Sequence, residues 1–251
     1  MGIRGVVFDL DGTLLDNMAL HAEAFEIFME RHGLGQWGSG GTEGSLQLDE
    51  RARIDSARAK DRRRELDGKR NRDIFPVLFG RALADDELRR YADEKEGLYR
   101  ELSRGRLVAL SGLERLLERL RLRAIPAAVA TSAPPENVRH TLAELGLAGR
   151  LDRVVRADEV PHGKPHPDVF LAAARLLAVP AADCLAFEDA PAGVAAAKAA
   201  GMTCVGVTTT FSAAALATAG AAPDVTVADF DEFLAGPGAW LMDAQAGSSS
   251  T

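Results

Sequence analysis

Short apolar runs alternate with stretches of helical periodicity along much of this chain, and this alternation limits the fold more than any other feature. The runs are rich in Val, Ile and Ala, and they predict buried strands at residues 3–8, 125–130, 154–155, 184–187, 203–207 and 225–227. Between them, apolar residues recur every three or four positions and predict helices at 113–122, 135–145, 167–177 and 193–200. Such alternation predicts a Rossmann-like α/β fold, a doubly wound parallel sheet with helices on both faces.

Residues 17–103 differ from the rest, because their pattern is helical and carries no strand signal. We therefore predict an all-helical cap domain at 17–103, inserted into an α/β core formed by residues 1–16 and 104–236. The Gly-rich stretch 35–45 is predicted to be a flexible loop within the cap, and the tail 237–251 to be disordered. The helices predicted in the cap are 17–32, 48–66, 73–80 and 84–103.

Composition and charge limit the classes of partner that this protein is expected to bind. The chain is 47% hydrophobic but only 6% aromatic, which predicts a core of Ala, Leu and Val. The formal net charge of −7 gives no general attraction for nucleic acid or an anionic membrane. No apolar stretch is long enough to span a bilayer, so a cytoplasmic protein is expected, either a monomer or a weak homodimer. The two cysteines, Cys184 and Cys204, lie in predicted strands and are interpreted as buried free thiols.

Polar side chains follow several predicted strands at the point where each strand ends. In a doubly wound sheet, ligands bind beyond the carboxyl ends of the strands, so these side chains are expected to lie together at one edge. The loop before the helix at 167–177 adds an ammonium group. The candidates are Asp9 and Asp11, Thr131 and Ser132, Lys164, and Glu188 and Asp189.

This set of groups fits phosphoryl transfer. Several carboxylates at one point repel each other and require a cation, and an all-oxygen set suits Mg²⁺. With the cation and Lys164 neutralising charge, one carboxylate can attack a phosphate ester as nucleophile. A second carboxylic acid two residues away can protonate the leaving oxygen. Gly12 permits a tight turn that directs backbone N–H groups at the phosphate.

The same residues resemble the four motifs of the haloacid dehalogenase superfamily, in the order and at the separations usual for that family. The first motif is matched by FDLDGTLLD at 8–16, and the second by Thr131. The third is matched by GKPHPD at 163–168, and the fourth by FEDAPAG at 187–193. The resemblance covers nearly the whole chain and is greatest to the β-phosphoglucomutase-like branch, which includes sugar phosphatases.

The resemblance implies a role for each matching position. Asp9 would be the nucleophile and Asp11 the general acid and base. Thr131 and Lys164 would bind the transferring phosphoryl group, with Gly12 and Ser132 beside it. Mg²⁺ would be held by Asp9, the backbone carbonyl of Asp11 and Asp189, with Glu188 in support. In the cap, the candidate substrate contacts are His21, Arg70, Asn71 and Arg72; His21 could equally be an ordinary half-buried helix residue.

The predicted function is Mg²⁺-dependent hydrolysis of a small phosphorylated metabolite, with sugar phosphates as the first expectation, through an aspartyl-phosphate on Asp9. A dehalogenase has no use for Asp11, and a phosphonatase needs a Schiff-base lysine, for which Lys60 and Lys69 lack a convincing setting. A sugar phosphomutase is the main alternative, although positions 133–135 (Ala-Pro-Pro) lack the side-chain donors that the mutase places after its second motif. A non-catalytic phosphate sensor on the same fold is the remote alternative.

Overall fold

A computed structural model describes residues 2–34, 70–217 and 221–241 of the chain. The chain divides into two compact units. An α/β unit comprises residues 1–16 and 107–251, and a helical unit comprises residues 17–106. The predicted loop at 35–45 and the predicted helix at 48–66 lie outside the described residues.

The α/β unit is built on a six-stranded sheet in the order β3-β2-β1-β4-β5-β6, in which every pair of neighbouring strands is parallel. The fold class predicted from the sequence is therefore confirmed. Each predicted strand is present, and four are buried along nearly their whole length because helices cover both faces. The strands are β1 Gly5–Phe8, β2 Ala127–Thr131, β3 Val154–Arg156, β4 Cys184–Glu188, β5 Thr203–Val207 and β6 Val225–Val227.

Side chains alternate along β1, and this alternation separates two apolar cores. Val6 and Phe8 enter one core, in which Phe8 stacks on Phe187 at 5.2 Å between ring centroids. Val7 enters the other, which is rich in Ala and small side chains. The helices of this unit are α4 Leu113–Leu122, α5 Pro135–Glu144, α6 Asp168–Leu177, α7 Pro191–Ala199, α8 Ala213–Leu216 and α9 Phe230–Ala235.

The helical unit contains α1 Met18–Arg31, α2 Asn71–Phe79 and α3 Asp85–Ser103. Its described residues include no strand, and α1 packs against α3. The shared core is aromatic, unlike the cores of the sheet, and Phe28 lies within 6 Å of both Phe75 and Tyr91 between ring centroids. These ring contacts hold the three helices together through apolar burial and edge-to-face geometry.

The structure corrects several predicted boundaries. Thr131 and Glu188 are the last residues of their strands, not the first residues after them. Helix α2 begins at Asn71, two residues before the predicted start, with Arg70 as its N-cap. The first part of the predicted disordered tail is folded: Leu241 is 1% exposed and packs in the apolar core, and its carbonyl accepts from Arg123 Nε at 3.1 Å.

Two further observations concern the sequence predictions. Cys184 and Cys204 are buried free thiols, as predicted. Among the described residues, no helix has the length and hydropathy needed to cross a membrane. The cytoplasmic location and the oligomeric state stay predictions.

Candidate active site

Three buried carboxylates lie together at the carboxyl edge of the sheet. Asp9 follows β1, and its backbone N–H donates to the Phe187 carbonyl at 2.9 Å, which continues the ladder between β1 and β4. Glu188 ends β4, and Asp189 comes next; the three side chains belong to residues that are at most 7% exposed. One ligand atom from each carboxylate lies within 4.8 Å of the others. The parallel register of two adjacent strands thus produces this convergence.

Lys164 joins two of these carboxylates. It lies in the loop between β3 and α6, and its side chain is 2% exposed. Its Nζ donates to Asp9 Oδ1 and to Glu188 Oε1, both at 2.5 Å. Such short charge-assisted bonds hold the ammonium and the two carboxylates in one arrangement.

Glu188 is held from its other side by the backbone. Its Oε2 accepts from the N–H groups of Asp189 and Ala190 at 3.0 and 3.1 Å. The side chain passes directly over Gly193 in the first turn of α7, where an added Cβ would lie 1.7 Å from Glu188 Oε1. Gly193 is therefore required by space, because any other residue would occupy the position of the carboxylate.

Burial and mutual repulsion perturb the pKa values of these groups. The pKa of Asp9 is raised to about 7, chiefly by burial; Lys164 opposes this rise, and the charges of Glu188 and Asp11 add to it. Burial, followed by the charges of Glu188 and Asp9, raises the pKa of Asp189 well above its usual range. Burial alone would lower the pKa of Lys164, but the adjacent carboxylates outweigh it and raise that pKa. The ammonium is therefore charged at neutral pH, whereas the carboxyl groups of Asp9 and Asp189 resist ionisation.

The donor set fits a hard divalent cation. Three carboxylates share one ammonium, so full ionisation leaves uncompensated negative charge in a buried site. All of the donors are oxygens, which suits Mg²⁺ better than a softer metal. Asp9 and Asp189 are the two carboxylates best placed to hold the cation, because both oxygens of Glu188 already accept hydrogen bonds.

The turn after β1 brings backbone close to Asp189. Gly12 has φ +82°, a left-handed conformation that favours glycine, and an added Cβ would lie 2.0 Å from Asp189 Oδ2. Thr13 donates to Asp189 Oδ1 at 3.1 Å. The Thr210 hydroxyl approaches the same carboxylate and lowers its pKa, although it does not reach full hydrogen-bonding geometry. Thr13 and Thr210 were not among the site residues predicted from the sequence.

The remaining predicted residues of the α/β unit lie on the loops after β1 and β2. Thr131 is 1% exposed, and its Oγ1 accepts from the Ala133 N–H at 3.0 Å, which leaves the hydroxyl proton to be donated elsewhere. Ser132 follows it and is half-buried. Asp11 is half-buried on the loop after β1, near enough for its charge to raise the pKa of Asp9.

The four predicted cap residues all belong to the helical unit. His21 is buried on α1 and stacks on Tyr99, with ring centroids 3.7 Å apart. Arg70 pairs with Asp73 through Nε at 2.9 Å, which engages its guanidinium within its own helix. The other two lie in the first turn of α2, and these are Asn71, which is half-buried, and Arg72, which is exposed.

A buried ion pair in the helical unit was not predicted from the sequence. Lys95 Nζ lies 3.0 Å from Glu96 Oε1 and 3.1 Å from His21 Nδ1, and Asn71 Nδ2 donates to Glu96 at 2.8 Å. Lys95 and Glu96 are only 3% and 5% exposed. The sequence feature that could have indicated its burial is the position of Lys95 on the apolar stripe of α3, four residues after Tyr91.

Comparison with known proteins identifies the family. A family model for haloacid dehalogenase-like hydrolases matches residues 3–201. The chain is 34% identical to fructose-1-phosphate phosphatase YqaB of Escherichia coli over 203 residues, which are 81% of this chain and 95% of that protein. It is 42% identical to validoxylamine A 7'-phosphate phosphatase of Streptomyces hygroscopicus subsp. limoneus over 125 residues, 50% of this chain and 57% of that protein.

A solved structure supports the same assignment at the level of the fold. The crystal structure of β-phosphoglucomutase from Clostridium difficile superposes with a TM-score of 0.71 at 24% identity, covering 91% of this chain and 92% of that one. Together with the carboxylates and the lysine at the sheet edge, the family model and the match to the Escherichia coli phosphatase show that the chain belongs to the haloacid dehalogenase-like hydrolases.

Proposed function

We propose that the chain is a Mg²⁺-dependent phosphatase that hydrolyses small phosphate monoesters, in the first place sugar phosphates, through an aspartyl-phosphate on Asp9. The observation that carries the proposal is the contact of Lys164 with Asp9 and Glu188 beside the buried carboxylate of Asp189. Such a site pairs a nucleophile with the positive charge needed to bring it to an anionic ester. The relatives named as phosphatases of fructose 1-phosphate and validoxylamine A 7'-phosphate support the substrate class.

In the first step, an oxygen of the Asp9 carboxylate attacks phosphorus, and the bond from phosphorus to the ester oxygen breaks. The carboxylic acid of Asp11 gives its proton to the departing oxygen. Lys164 and the hydroxyl of Thr131 hold the phosphoryl oxygens as negative charge develops on them. A divalent ion held by Asp9, Asp189 and the Asp11 carbonyl would neutralise the phosphoryl group.

In the second step, water attacks phosphorus and the bond to the Asp9 oxygen breaks. Asp11, now a carboxylate, takes the proton of the attacking water, and inorganic phosphate leaves with Asp9 and Asp11 restored to their starting states. The N–H groups of the tight turn at Gly12 and the side chain of Ser132 are proposed to complete phosphate binding.

The proposal extends to four side chains of the helical unit as substrate contacts: His21, Arg70, Asn71 and Arg72. Arg70 already pairs with Asp73, and Asn71 already donates to Glu96. Arg72 is exposed and is therefore the cationic candidate that needs the least rearrangement.

One structural feature favours hydrolysis over the mutase alternative. Helix α5 begins with Pro134 as N-cap and Pro135 as its first residue, so neither position offers an N–H group to a second phosphate. Ala133, just before them, is buried and already donates its N–H to Thr131. A mutase must hold a distal phosphate in addition to the reacting one, and the start of this helix offers few hydrogen-bond donors to such a phosphate.

A phosphate-release assay tests the proposal. Fructose 1-phosphate, hexitol phosphates, phosphoglycolate and both anomers of glucose 1-phosphate are incubated with the protein in Mg²⁺ or in EDTA. We expect Mg²⁺-dependent release from at least one sugar phosphate, and its loss in Asp9→Asn. Conversion of glucose 1-phosphate to glucose 6-phosphate without free phosphate would favour the mutase. Binding of phosphate esters with no turnover by the parent protein would favour the sensor.

A further inference from the structure

The segment that follows β5, residues 208–211, is anchored on both sides. The Thr208 backbone N–H and hydroxyl both donate to the Val227 carbonyl of β6, at 2.9 and 3.3 Å. Phe211 is 7% exposed and packs in the Ala-rich core. The two residues between these anchors, Thr209 and Thr210, are thereby held at the carboxyl edge of the sheet, where the buried carboxylates lie.

Both threonines face the turn that carries Gly12. The Thr209 hydroxyl donates to the Gly12 carbonyl, which directly follows the peptide of Asp11. The Thr210 Oγ1 is fully buried. A Cβ added at Gly12 would lie 2.8 Å from this oxygen and 2.0 Å from Asp189 Oδ2, so both oxygens lie on the same side of Gly12. The hydroxyls therefore meet the two elements that are proposed to supply ligands for the divalent ion, the turn after β1 and the carboxylate of Asp189.

Neutral donors are suited to this position. An ammonium beside Asp189 would orient the carboxylate but would cancel the negative charge that attracts the cation. A hydroxyl can orient the carboxylate and leave its charge in place. Thr13 already donates to Asp189 Oδ1 at 3.1 Å, so a donor at Oδ2 would fix the second oxygen. The only cation in the described cluster, Lys164, instead contacts Asp9 and Glu188.

We propose that Thr209 and Thr210 are positioning residues that set the affinity of the site for its divalent cation. Thr209 fixes the turn so that the Asp11 carbonyl is directed at the cation, and Thr210 donates to Asp189 when the cation is bound. Neither touches the phosphate ester. This inference depends on the proposed metal-dependent function, and it predicts that loss of either hydroxyl weakens metal binding without weakening ester binding at saturating metal.

The test compares Thr209→Val and Thr210→Val with Thr208→Val, the matched control, whose lost hydroxyl faces the Val227 carbonyl of β6. Mn²⁺ binding to each ester-free protein is measured by electron paramagnetic resonance, and KM for the ester is measured at saturating Mg²⁺. We expect the Mn²⁺ Kd to rise about tenfold or more in the first two variants, as loss of outer-sphere partners typically does. The control should stay within about twofold of the parent, since its hydroxyl meets no proposed ligand.

Thr210→Ser provides the second arm, because it restores the hydroxyl without the methyl group, and its Mn²⁺ Kd should return toward that of the parent. The melting temperature of each metal-free variant separates a folding defect from a binding defect. Unchanged Mn²⁺ affinity in both valine variants, or an equal loss in Thr208→Val, would overturn the inference. If the parent binds Mn²⁺ but hydrolyses no ester, the proposed function fails, and the Mn²⁺ comparison still decides the role of the threonines.

Discussion

The carboxylate of Asp9, the proposed nucleophile, is expected to destabilise the metal-free fold. Asp9 is buried beside two other carboxylates, and its pKa rises from the ordinary value of 3.8 to about 7. The perturbation is Asp9→Asn, which keeps the shape of the side chain and an oxygen for Lys164 but cannot ionise. Above neutral pH, the variant avoids a buried charge that the parent must carry.

The expected magnitude follows from the pKa. Because the folded pKa lies above the unfolded one, the folded parent binds the proton more tightly, and its stability falls as the pH rises from about 4 to about 7. At about 1.4 kcal/mol for each pKa unit, the full effect is roughly 4–5 kcal/mol. The carboxyl group of Asp189, whose pKa is also raised, titrates together with Asp9 and shares this cost. We therefore expect the free energy of unfolding of Asp9→Asn to exceed that of the parent by at least about 2 kcal/mol above neutral pH.

The assay is urea denaturation of both proteins in EDTA at pH 4.5 and pH 8. Asp9→Asn is expected to exceed the parent in free energy of unfolding by about 2–4 kcal/mol at pH 8, and by about 1 kcal/mol or less at pH 4.5. Adding Mg²⁺ at pH 8 should stabilise the parent more than the variant and narrow the difference, because a ligand that binds only the folded state stabilises it.

Asp152→Asn is the matched control, because Asp152 is an exposed aspartate of the same unit. It should change the free energy of unfolding by no more than about 0.5 kcal/mol at either pH. If the stability advantage of Asp9→Asn over the parent does not grow between pH 4.5 and pH 8, or if Asp152→Asn shows an equal growth, the raised pKa of Asp9 is contradicted.

Three further substitutions are expected to damage the fold or the site in ways that can be measured. Gly193→Ala places a Cβ 1.7 Å from Glu188 Oε1. It should therefore lower the free energy of unfolding, measured by urea denaturation, by about 2–4 kcal/mol and abolish phosphate release. Parent-like activity would contradict this expectation. Gly12→Ala combines φ +82° with a clash, and isothermal titration should detect no Mg²⁺ binding; parent-like affinity would show that the turn tolerates a side chain. Lys95→Met removes the ammonium 3.0 Å from Glu96 and should lower the free energy of unfolding by about 3–5 kcal/mol. The double variant that also carries Glu96→Leu should recover much of that loss. A double variant with no recovery would contradict a specific pairing of these two side chains.

The convergence at the sheet edge was predictable because it follows from backbone topology. Once Asp9 and Asp189 are placed after two strands of one parallel sheet, the adjacency of those strands brings the carboxylates together. Lys164 lies on the loop before α6, and both this predicted position and its match to the third motif indicated that it would join them. The roles of these residues stay proposals, but their proximity is an observation of the structure.

Other features could not be predicted, because they depend on packing between distant segments. Thr209 and Thr210 follow a predicted strand, yet the sequence does not show that they reach the Gly12 turn. The buried pair of Lys95 and Glu96 violates the expectation that charged residues face solvent. Leu241 belongs to the tail predicted to be disordered, but it packs in the apolar core, and its carbonyl accepts a hydrogen bond from Arg123, 118 positions away in sequence.

The proposed mechanism requires the Asp9 carboxylate to form a bond to phosphorus. The most direct measurement is rapid quenching of the protein during turnover of a sugar phosphate in Mg²⁺, followed by borohydride reduction, which converts a phosphorylated aspartate to homoserine, and by peptide mass spectrometry. We predict homoserine at position 9 alone, and none in the absence of substrate. An unmodified Asp9 in a protein that is turning over, or homoserine at another carboxylate, would contradict the mechanism.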